Sequence, residues 1–576
     1  MSWQENYEKW RGSDCLNEEE KRELESVSGD EKELESRFCG QLSFGTAGLR
    51  GIMGVGLNRM NIHVIRHATQ AFAEVILESG QEAAQKGIAV CFDCRNNSRD
   101  FAREAACVMA ANGISVRLFE SMRPTPELSF AVREYGCAAG LNITASHNPK
   151  EYNGYKVYWS DGAQLPPEPA SRIAGKMEAL DVFTAPRTMP YEKAEAEGKI
   201  TLMGKETDEK FLSRVMALAN DRETVEKVAD RFKMVYTPFH GTGRELIPET
   251  LRRLGMKHVL CVKEQMVPDG NFSTVKSPNP ENPEGFALAV KLAKENGADF
   301  ILGSDPDADR VGIMVRTGSG EYEVLSGNQT GVLVLDYLIG AMKRAGKLPE
   351  KAATLKSIVT TEMARTVAER NGIPCYDTFT GFKYLAEKKN RLEDAGEGKV
   401  FMAYEESFGY MFGDHVRDKD AVSAALLLTE MAAWYFDQGM TLYDALMALY
   451  EKYGWYREKT INVVMPGLDG LARMGAMMEA LRAEPPKEIG GEEIVTIRDY
   501  RDGTELDVVS GKKTAMELRD SNVLAYIRKD GMKVLARPSG TEPKIKFYLL
   551  AQGNSEEDCE KKLTLCHEWV QRVIQE

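Results

Sequence analysis

Several protein classes are excluded by what this sequence of 576 residues lacks. Glu430 interrupts the most apolar long segment, residues 421–436, so no apolar run is long and unbroken enough to cross a bilayer, and this segment predicts a buried helix. The first residues carry neither a basic nor an apolar stretch, so we expect no secretory leader. Low-complexity tracts and short repeats are also missing. We therefore expect a globular protein that does not act on membranes.

A second pair of closely spaced cysteines and an excess of positive charge are also missing. The ten cysteines are scattered, and only Cys91 and Cys94 form a CxxC pair, without a second pair to complete a zinc site. This usage predicts reduced thiols and a cytoplasmic location. The net charge of −14 argues against nucleic acid as a partner, because like charges repel. It leaves open phosphorylated small molecules, which a local group of arginines and lysines can bind.

Short apolar runs that alternate with amphipathic segments fill most of the chain. This βαβ rhythm predicts α/β domains with mixed sheets. A helix that Ser98 caps is predicted to run to about residue 111, and another helix follows Asp420. Strands are predicted at residues 87–92, 114–119, 138–143, 232–236, 298–303, 357–360 and 399–403. Two further strands, at 533–536 and 545–550, precede a final amphipathic helix in a distinct C-terminal α+β unit. The predicted domains are 1–205, 206–318, 319–454 and 455–576.

The first motif whose residues could take part in catalysis is Thr-Ala-Ser-His-Asn-Pro at residues 144–149. It follows an apolar strand, so Ser146 is predicted to lie where the strand ends and the chain turns. Ligands bind at the carboxyl ends of strands in such sheets. A serine there can accept and release a phosphoryl group, and His147 and Lys156 can stabilise the phosphoryl oxygens. The alternative is a turn serine that caps a helix.

The second motif places Asp305, Asp307 and Asp309 directly after a predicted strand. In extended backbone, alternate side chains share a side, so these carboxylates are predicted to converge. Three adjacent carboxylates repel one another unless a cation neutralises them, and hard oxygen ligands select Mg²⁺, Mn²⁺ or Ca²⁺. A phosphoserine oxygen from Ser146 would complete the coordination, with Arg310 beside it.

Three alternatives compete for this acidic motif. An EF-hand loop needs glycine at its sixth position and glutamate at its twelfth, where this chain has Arg310 and Arg316. Aspartate-nucleophile phosphatases also carry a DxD after a strand, but usually with Thr or Val two residues further on, where this chain has Asp309. The third alternative is a solvated acidic turn without a metal.

Two more motifs carry clustered polar groups. Residues 404–409, Tyr-Glu-Glu-Ser-Phe-Gly, offer a carboxylate and a hydroxyl that can bind vicinal sugar hydroxyls, with residues 380–383 and 417–420 in the same unit. Residues 537–544, Arg-Pro-Ser-Gly-Thr-Glu-Pro-Lys, offer charged donors, hydroxyls and backbone N–H groups that suit a phosphate dianion. The alternatives are solvated ion pairs in the former case and an ordinary polar turn in the latter.

These four motifs, in this order, resemble those of the alpha-D-phosphohexomutase superfamily. The resemblance extends from residues 45–51, Gly-Thr-Ala-Gly-Leu-Arg-Gly, to the loop at Arg537, and so covers most of the chain. The chain is longer than the bacterial phosphomannomutase type and has an extended N-terminal segment. It is more similar to the branch with alpha-phosphoglucomutases and related phosphopentomutases. The resemblance implies four domains around a central cleft, the last of which closes over the substrate.

The resemblance also implies residue roles. Ser146 would be phosphorylated and would bind one Mg²⁺ together with Asp305, Asp307 and Asp309. The groups around the transferring phosphate would be Arg50, His147, Lys156 and Arg310, with Lys156 and Lys419 as candidates for proton transfer. The sugar would be held by Thr380, Lys383, Glu405 and Ser407. The phosphate that does not react would be bound by Arg537, Ser539, Gly540, Thr541 and Lys544, with Lys546 as a possible helper.

The activity that the resemblance implies is the interconversion of glucose 1-phosphate and glucose 6-phosphate through phospho-Ser146 and a glucose 1,6-bisphosphate intermediate. A phosphomannomutase or phosphopentomutase is the nearest alternative. A magnesium-dependent sugar phosphatase and a non-catalytic phosphosugar-binding protein belong to different classes. The expected partner is a small phosphosugar, without nucleic acid or membrane, and the expected assembly is a monomer or homodimer.

Overall fold

The computed structural model describes residues 2–45, 48–465, 470–539 and 544–575. These residues form four β-sheets that follow one another along the chain. The first three sheets combine parallel strands with antiparallel strands at one edge, and the fourth is antiparallel. The predicted fold class, three α/β domains with mixed sheets and a C-terminal α+β domain, is confirmed. The predicted boundaries after residues 205, 318 and 454 stay predictions.

The first domain contains a six-stranded sheet in the order β1-β5-β4-β2-β3-β6. Its strands are β1 (Gly48–Ile52), β2 (Ile88–Phe92), β3 (Val116–Phe119), β4 (Ala139–Ile143), β5 (Tyr152–Trp159) and β6 (Ile200–Met203). Its helices are α1 (Trp3–Arg11), α2 (Glu18–Ser26), α3 (Glu31–Phe38), α4 (Ile62–Glu78), α5 (Gln81–Lys86), α6 (Ser98–Ala111), α7 (Thr125–Glu134), α8 (Pro167–Ala179) and α9 (Tyr191–Ala196). One apolar core joins this sheet to the N-terminal helices through Trp10 and Phe38.

The second and third domains repeat this build with smaller sheets, ordered β11-β10-β9-β7-β8 and β13-β12-β14-β15. The second has β7 (Lys233–Thr237), β8 (His258–Cys261), β9 (Phe300–Ser304), β10 (Val311–Arg316) and β11 (Tyr322–Val324), with α10 (Lys205–Met216), α11 (Arg222–Val228), α12 (Gly243–Leu254) and α13 (Ala287–Asn296). The third has β12 (Ala352–Ser357), β13 (Cys375–Thr378), β14 (Lys399–Glu405) and β15 (Gly409–Phe412), with α14 (Gly327–Arg344), α15 (Glu362–Arg370), α16 (Phe382–Asp394), α17 (Ala421–Asp437) and α18 (Leu442–Tyr453). These two domains share one continuous apolar core.

The fourth domain is built on an antiparallel sheet in the order β16-β23-β22-β21-β18-β19-β20, with β17 paired to β18. Its strands are β16 (Trp455–Val464), β17 (Glu488–Ile489), β18 (Glu492–Asp499), β19 (Thr504–Asp507), β20 (Lys513–Ala515), β21 (Leu524–Arg528), β22 (Lys533–Pro538) and β23 (Lys544–Gly553). Helices α19 (Gly470–Ala483) and α20 (Glu556–Gln575) contribute to its apolar core. The sequence predicted only β22 and β23 of these strands.

Two predicted details are wrong. The strand expected at 357–360 is β12, which ends at Ser357. Its polar residues Thr354 and Lys356 interrupt the apolar pattern by which a buried strand is predicted, although every residue of the strand is buried. Ser98 does not cap α6 but is its first helical residue, and its Oγ donates to Asp93 Oδ1 at 2.7 Å. A turn N-terminal to the helix, with Asn97 in the left-handed region, takes the capping position.

Residues 421–436 form most of α17, as predicted. The buried Glu430 carboxylate accepts hydrogen bonds from the backbone N–H groups of Asn220 and Asp221 at 2.7 and 3.0 Å and from Tyr337 Oη at 2.9 Å. Its polar atoms are therefore satisfied inside the protein. Among the helices that the described residues form, none has both the length and the apolarity needed to cross a membrane.

Candidate active site

Ser146 lies in the loop after β4, where the sequence placed it. It is 3% exposed, and its backbone has a φ of 51°, in the left-handed region that residues other than glycine rarely adopt. The backbone N–H of Ser146 donates to Thr144 Oγ1 at 2.9 Å. Ser146 Oγ donates to Asp305 Oδ2 at 2.8 Å and lies 3.2 Å from His147 Nδ1. The serine of the first domain therefore contacts the acidic loop of the second.

The three aspartates after β9 converge, but for a different reason from the predicted one. One carboxylate oxygen from each aspartate lies within 4.8 Å of those of the other two. The backbone here is a turn rather than an extended strand, with Ala308 at a φ of 50°. Asp305 Oδ1 closes this turn by accepting from the N–H groups of Asp309 and Arg310 at 3.1 and 3.0 Å. The turn, and not the alternation of an extended chain, brings the carboxylates together.

The chemistry of this cluster fits a hard divalent cation. Asp307 Oδ1 and Asp309 Oδ1 are buried oxygens that have no hydrogen-bond donor among the described residues. Burial, together with the charges of the other two aspartates, raises the pKa of Asp305 well above its ordinary value. A divalent ion would supply the missing partner for these oxygens and favour the ionised form of Asp305.

Two buried lysines flank the cluster. Lys156 Nζ lies 2.6 Å from Asp307 Oδ2 and 3.4 Å from Asp309 Oδ2, and Lys419 Nζ lies 3.1 Å from Asp309 Oδ2 and 2.9 Å from Asp418 Oδ1. Burial opposes the charged form of Lys419, but the carboxylates of Asp309 and Asp418 outweigh it and raise the pKa of the ammonium group. The pKa of Lys156 is raised in the same way, against burial, by Asp307 and Asp309. Both ammonium groups are therefore held protonated.

The remaining cationic candidates lie near the Ser146 loop and the aspartate cluster. Arg50 Nη1 donates to Asn148 Oδ1 at 3.0 Å, in the loop that carries Ser146. Arg310 Nη1 lies 3.2 Å from Glu281 Oε1. Burial, strengthened by the charges of Arg310 and Arg50, lowers the pKa of His147 well below its ordinary value. The imidazole is therefore neutral at neutral pH.

The sugar-binding candidates lie in the third domain, next to the acidic loop. A bridge between Arg310 and Gly409 joins the two loops, and the N–H of Val311 donates to the carbonyl of Phe408 at 3.1 Å. Glu405, at the end of β14, accepts from the N–H of Gly381 through Oε1 at 2.6 Å. Burial, assisted by the neighbouring charge of Glu406, raises the pKa of Glu405 to about 7.

Three further sugar-binding candidates are available to a ligand. Thr380 Oγ1 and Lys383 Nζ are buried atoms without a hydrogen-bond partner in the described part of the chain. Lys383 Nζ lies 4.9 Å from the centre of the Tyr384 ring, and burial lowers its pKa. Ser407 is half-buried in the turn after β14. These groups can donate hydrogen bonds to the oxygens of a ligand.

The phosphate-binding candidates lie in the fourth domain, between β22 and β23. Arg537 belongs to β22, Lys544 begins β23, and the N–H of Ser539 donates to the carbonyl of Lys544 at 2.7 Å. The candidates Gly540 and Thr541 lie outside the described residues. Among those described, no hydrogen bond or ion pair joins Arg537 or Lys544 to the groups around Ser146. Burial and the charge of Lys544 lower the pKa of Lys546.

The site also contains a residue that the sequence did not predict, Thr125, at the start of α7. Its Oγ1 donates to Asp307 Oδ2 at 2.9 Å, and its N–H donates to the carbonyl of Asp307 at 2.8 Å. Asn142 Nδ2 of β4 donates to Thr125 Oγ1 at 2.7 Å. The available signal was its place just beyond the carboxyl end of β3, in Arg-Pro-Thr-Pro at 123–126.

Comparison with known proteins assigns three successive segments of the chain to domain families. Residues 41–182, 210–318 and 326–453 match the family models described as phosphoglucomutase/phosphomannomutase, alpha/beta/alpha domains I, II and III. A phosphoglucomutase of Staphylococcus haemolyticus is 34% identical over 515 residues, which cover 89% of this chain and 91% of the relative. One from Staphylococcus epidermidis is 35% identical over 508 residues, 88% and 90% of the two chains.

Solved structures agree in fold. A putative phosphomannomutase from Thermus thermophilus superposes with a TM-score of 0.68 at 22% identity, covering 92% of this chain and 99% of that one. The open form of parafusin, a phosphoglucomutase from Paramecium, superposes with a TM-score of 0.66 at 19% identity, covering 94% and 95%. At these identities the likeness concerns the fold alone.

Proposed function

We propose that this chain, which belongs to the phosphoglucomutase/phosphomannomutase family within the alpha-D-phosphohexomutase superfamily, interconverts glucose 1-phosphate and glucose 6-phosphate. The observation that carries the proposal is the contact of 2.8 Å between Ser146 Oγ and Asp305 Oδ2, within a buried group of three carboxylates. The choice of glucose is supported by the relatives of about 34% identity that are named phosphoglucomutase.

The proposed cycle uses Ser146 twice. Phospho-Ser146 transfers its phosphoryl group to the 6-hydroxyl of glucose 1-phosphate, so that the bond from phosphorus to Ser146 Oγ breaks and the bond to O6 forms. The resulting glucose 1,6-bisphosphate turns over in the cleft. Ser146 Oγ then attacks the phosphorus of the 1-phosphate, and glucose 6-phosphate leaves. Each transfer releases one proton from the attacking hydroxyl and delivers one proton to the departing oxygen.

Lys156 and Lys419 are the proposed proton-transfer groups. Lys156 and Lys419 have raised pKa values, so both suit the donor's part when Ser146 Oγ departs from phosphorus. In the return step, the lysine that gave up its proton takes it back from the attacking serine hydroxyl, and His147, with Nδ1 at 3.2 Å from Ser146 Oγ, is proposed to contact the phosphoryl group. Arg50 and Arg310 are proposed to bind the phosphoryl oxygens.

We further propose that Asp305, Asp307 and Asp309, with an oxygen of phospho-Ser146, hold one Mg²⁺ per chain. When bound, the ion supplies charge neutralisation for the transferring phosphoryl group. Thr380, Lys383, Glu405 and Ser407 would orient the sugar. The phosphate that does not react would bind Arg537, Ser539, Gly540, Thr541 and Lys544. A cytoplasmic location and a monomer or homodimer complete the proposal, the former supported by ten free cysteines.

A coupled assay tests the reaction. Glucose 1-phosphate is supplied with Mg²⁺ and a trace of glucose 1,6-bisphosphate, and mannose and ribose 1-phosphates are assayed in parallel. Glucose 6-phosphate formation that depends on the bisphosphate supports the proposal. Faster turnover of mannose or ribose phosphate moves the specificity to a phosphomannomutase or phosphopentomutase, and release of inorganic phosphate without isomerisation indicates a phosphatase.

Replacement of the nucleophile tests the mechanism. The variant Ser146→Ala should lose turnover and fold normally, because the methyl group fits the same space. Ser423→Ala, which changes a buried serine of α17, is the matched control and should retain activity. Near-normal mutase activity in Ser146→Ala would contradict the phosphoserine cycle.

A further inference from the structure

Arg95, in the loop after β2, is buried against the loop that carries Ser146, with 3% of its surface exposed. Its Nη1 donates to the carbonyls of Pro149 and Tyr152 at 2.9 and 3.1 Å. Its Nη2 donates to the carbonyls of Ser146 and Asn148 at 2.6 and 2.5 Å. One planar guanidinium therefore binds four main-chain oxygens between residues 146 and 152.

Asp93 anchors this guanidinium and ties it to the backbone of the serine. Its Oδ2 lies 3.3 Å from Arg95 Nε and accepts from Thr144 Oγ1 at 2.6 Å. The same Thr144 hydroxyl accepts from the N–H of Ser146 at 2.9 Å. Asp93 Oδ1 accepts from the N–H of Arg95 and from Ser98 Oγ at 2.9 and 2.7 Å. The N–H and the carbonyl of Ser146 are thus both held by this network.

The backbone of Ser146 needs such support. A φ of 51° at a serine is strained, and such a conformation persists only when surrounding contacts determine it. In this backbone conformation, Ser146 Oγ points toward Asp305 and His147. The Phe272 ring of the second domain lies 5.0 Å from the Arg95 guanidinium, so the support spans the joint between the two domains.

We propose that Arg95, anchored by Asp93, is a positioning residue that holds the phosphoserine loop so that Ser146 Oγ faces the acidic cluster. The inference rests on the proposed function, because it concerns the transfer of a phosphoryl group to Ser146. Arg95 does not touch that group; it acts through the main chain of the loop. Its loss therefore slows phosphoryl transfer more than it weakens sugar binding.

The variant Arg95→Lys tests this role. Lysine keeps the charge beside Asp93, but its single ammonium group cannot reproduce the planar fork that reaches four carbonyls. The control is Arg528→Lys in the fourth domain, whose arginine is also 3% exposed and forms an ion pair with an aspartate, Asp530, at 2.6 Å. Both variants lose a buried guanidinium, and only the former lies against the phosphoserine loop.

The rate at which glucose 1,6-bisphosphate phosphorylates Ser146 is measured by intact-protein mass, alongside kcat, KM and the melting temperature. We expect Arg95→Lys to slow phosphorylation and kcat on the order of 100-fold, the typical cost of displacing a reacting group by about 1 Å. KM for glucose 1-phosphate should stay within about threefold of the wild-type value, because the sugar contacts are unchanged. Arg528→Lys should load at the wild-type rate.

Thr144→Val and Thr144→Ser provide a second comparison should Arg95→Lys not fold. Valine removes the hydroxyl that holds the N–H of Ser146, and serine keeps it, so only the former should slow loading. Wild-type loading rates in Arg95→Lys or Thr144→Val, with normal loading of the wild type, would overturn the positioning role. Failure of the wild type itself to load would instead contradict the proposed function.

Discussion

The replacement Lys156→Met removes the buried ammonium group that lies 2.6 Å from Asp307 and 3.4 Å from Asp309. Methionine has a similar length, so the change removes charge rather than volume. At an effective dielectric constant of about 20, the Coulomb attraction at these distances is ~6 and ~5 kcal/mol. Part of this is offset because the variant no longer buries an ammonium group, and removal of one partner of a buried ion pair typically costs about 3–5 kcal/mol.

The lower end of this range applies here. Lys419 Nζ remains 3.1 Å from Asp309, so one carboxylate keeps a partner. We therefore expect a loss of about 3 kcal/mol in the free energy of unfolding at pH 7 without divalent ions, or about 6–12 °C in the melting temperature of a domain of this size. Millimolar Mg²⁺ should restore more stability to the variant than it adds to the wild type, because the ion replaces the missing positive charge.

The pH dependence follows from Asp307. Burial raises its pKa, but Lys156, assisted by hydrogen bonds with Asp305 and Thr125, outweighs burial and lowers it in the wild type. The ion pair with Lys156 therefore stabilises the protein above the ordinary pKa of aspartate, and this effect is lost as the pH falls through the lowered value. In the variant, only the hydrogen bonds with Asp305 and Thr125 still oppose burial, so Asp307 takes up a proton at a higher pH than in the wild type. The difference in stability between the two proteins should therefore shrink as the pH falls toward about 4.

Thermal unfolding at several pH values, with and without Mg²⁺, measures these effects. The control is Lys389→Met, which removes another buried lysine, 2.6 Å from Glu393 in α16. It should also destabilise the protein, but its response to Mg²⁺ should match that of the wild type. Equal stability of Lys156→Met and wild type at pH 7, or an identical Mg²⁺ response, would refute the reasoning that Lys156 compensates the acidic cluster.

Two further predictions concern the proposed sugar and metal contacts. Burial and the charge of Glu406 raise the pKa of Glu405 to about 7. The ionised carboxylate accepts hydrogen bonds from sugar hydroxyls, so kcat/KM should rise with pH through about 7. Glu405→Gln should lower kcat/KM and remove this ionisation, and an unchanged pH profile would contradict the assignment. Thr125→Val should weaken Mg²⁺ binding about 10–100-fold by calorimetry, since Thr125 orients Asp307, whereas Thr125→Ser should not. Equal affinities in these two variants would exclude the hydroxyl as the cause.

The candidate site could be located from the sequence because its central residues obey a local rule. Ser146 follows β4, the aspartates follow β9, and Glu405 ends β14, each at the carboxyl end of a strand. Apolar strands and the polar residues just beyond them are visible in a single sequence. The geometry at these points was less predictable, since the aspartates converge through a turn with a left-handed Ala308.

Arg95 and Thr125 could not be predicted in the same way, because their partners are distant in the sequence. Arg95 binds carbonyls that lie 51 to 57 positions away, and Thr125 binds Asp307, 182 positions away. Every residue also has a main-chain carbonyl, so the sequence does not indicate which carbonyls bind a side chain. Lys356 misled the strand prediction for a related reason: its burial in β12 is possible only because Glu362 and Asp377, at 2.8 and 3.0 Å, neutralise it.

The candidate site has two parts that differ in their contacts. The residues from the first three domains contact one another directly, and no hydrogen bond or ion pair joins the described residues Arg537 and Lys544 of the fourth domain to them. Ser146, the aspartates and Lys419 come from three domains and are joined by buried hydrogen bonds and ion pairs. The fourth domain, which carries Arg537, is attached elsewhere: the Lys533–Glu362 ion pair at 2.9 Å and an apolar cluster with Ile358 and Val359 join it to the third domain. In the proposed cycle the bisphosphate exchanges its two ends, which requires one phosphate at a fixed reactive group and the other at a group that can release it. Among the described residues, these contacts hold the fourth domain at its attachment to the third. Movement about this attachment would permit the exchange without breaking the bonds that hold Ser146 against the acidic cluster.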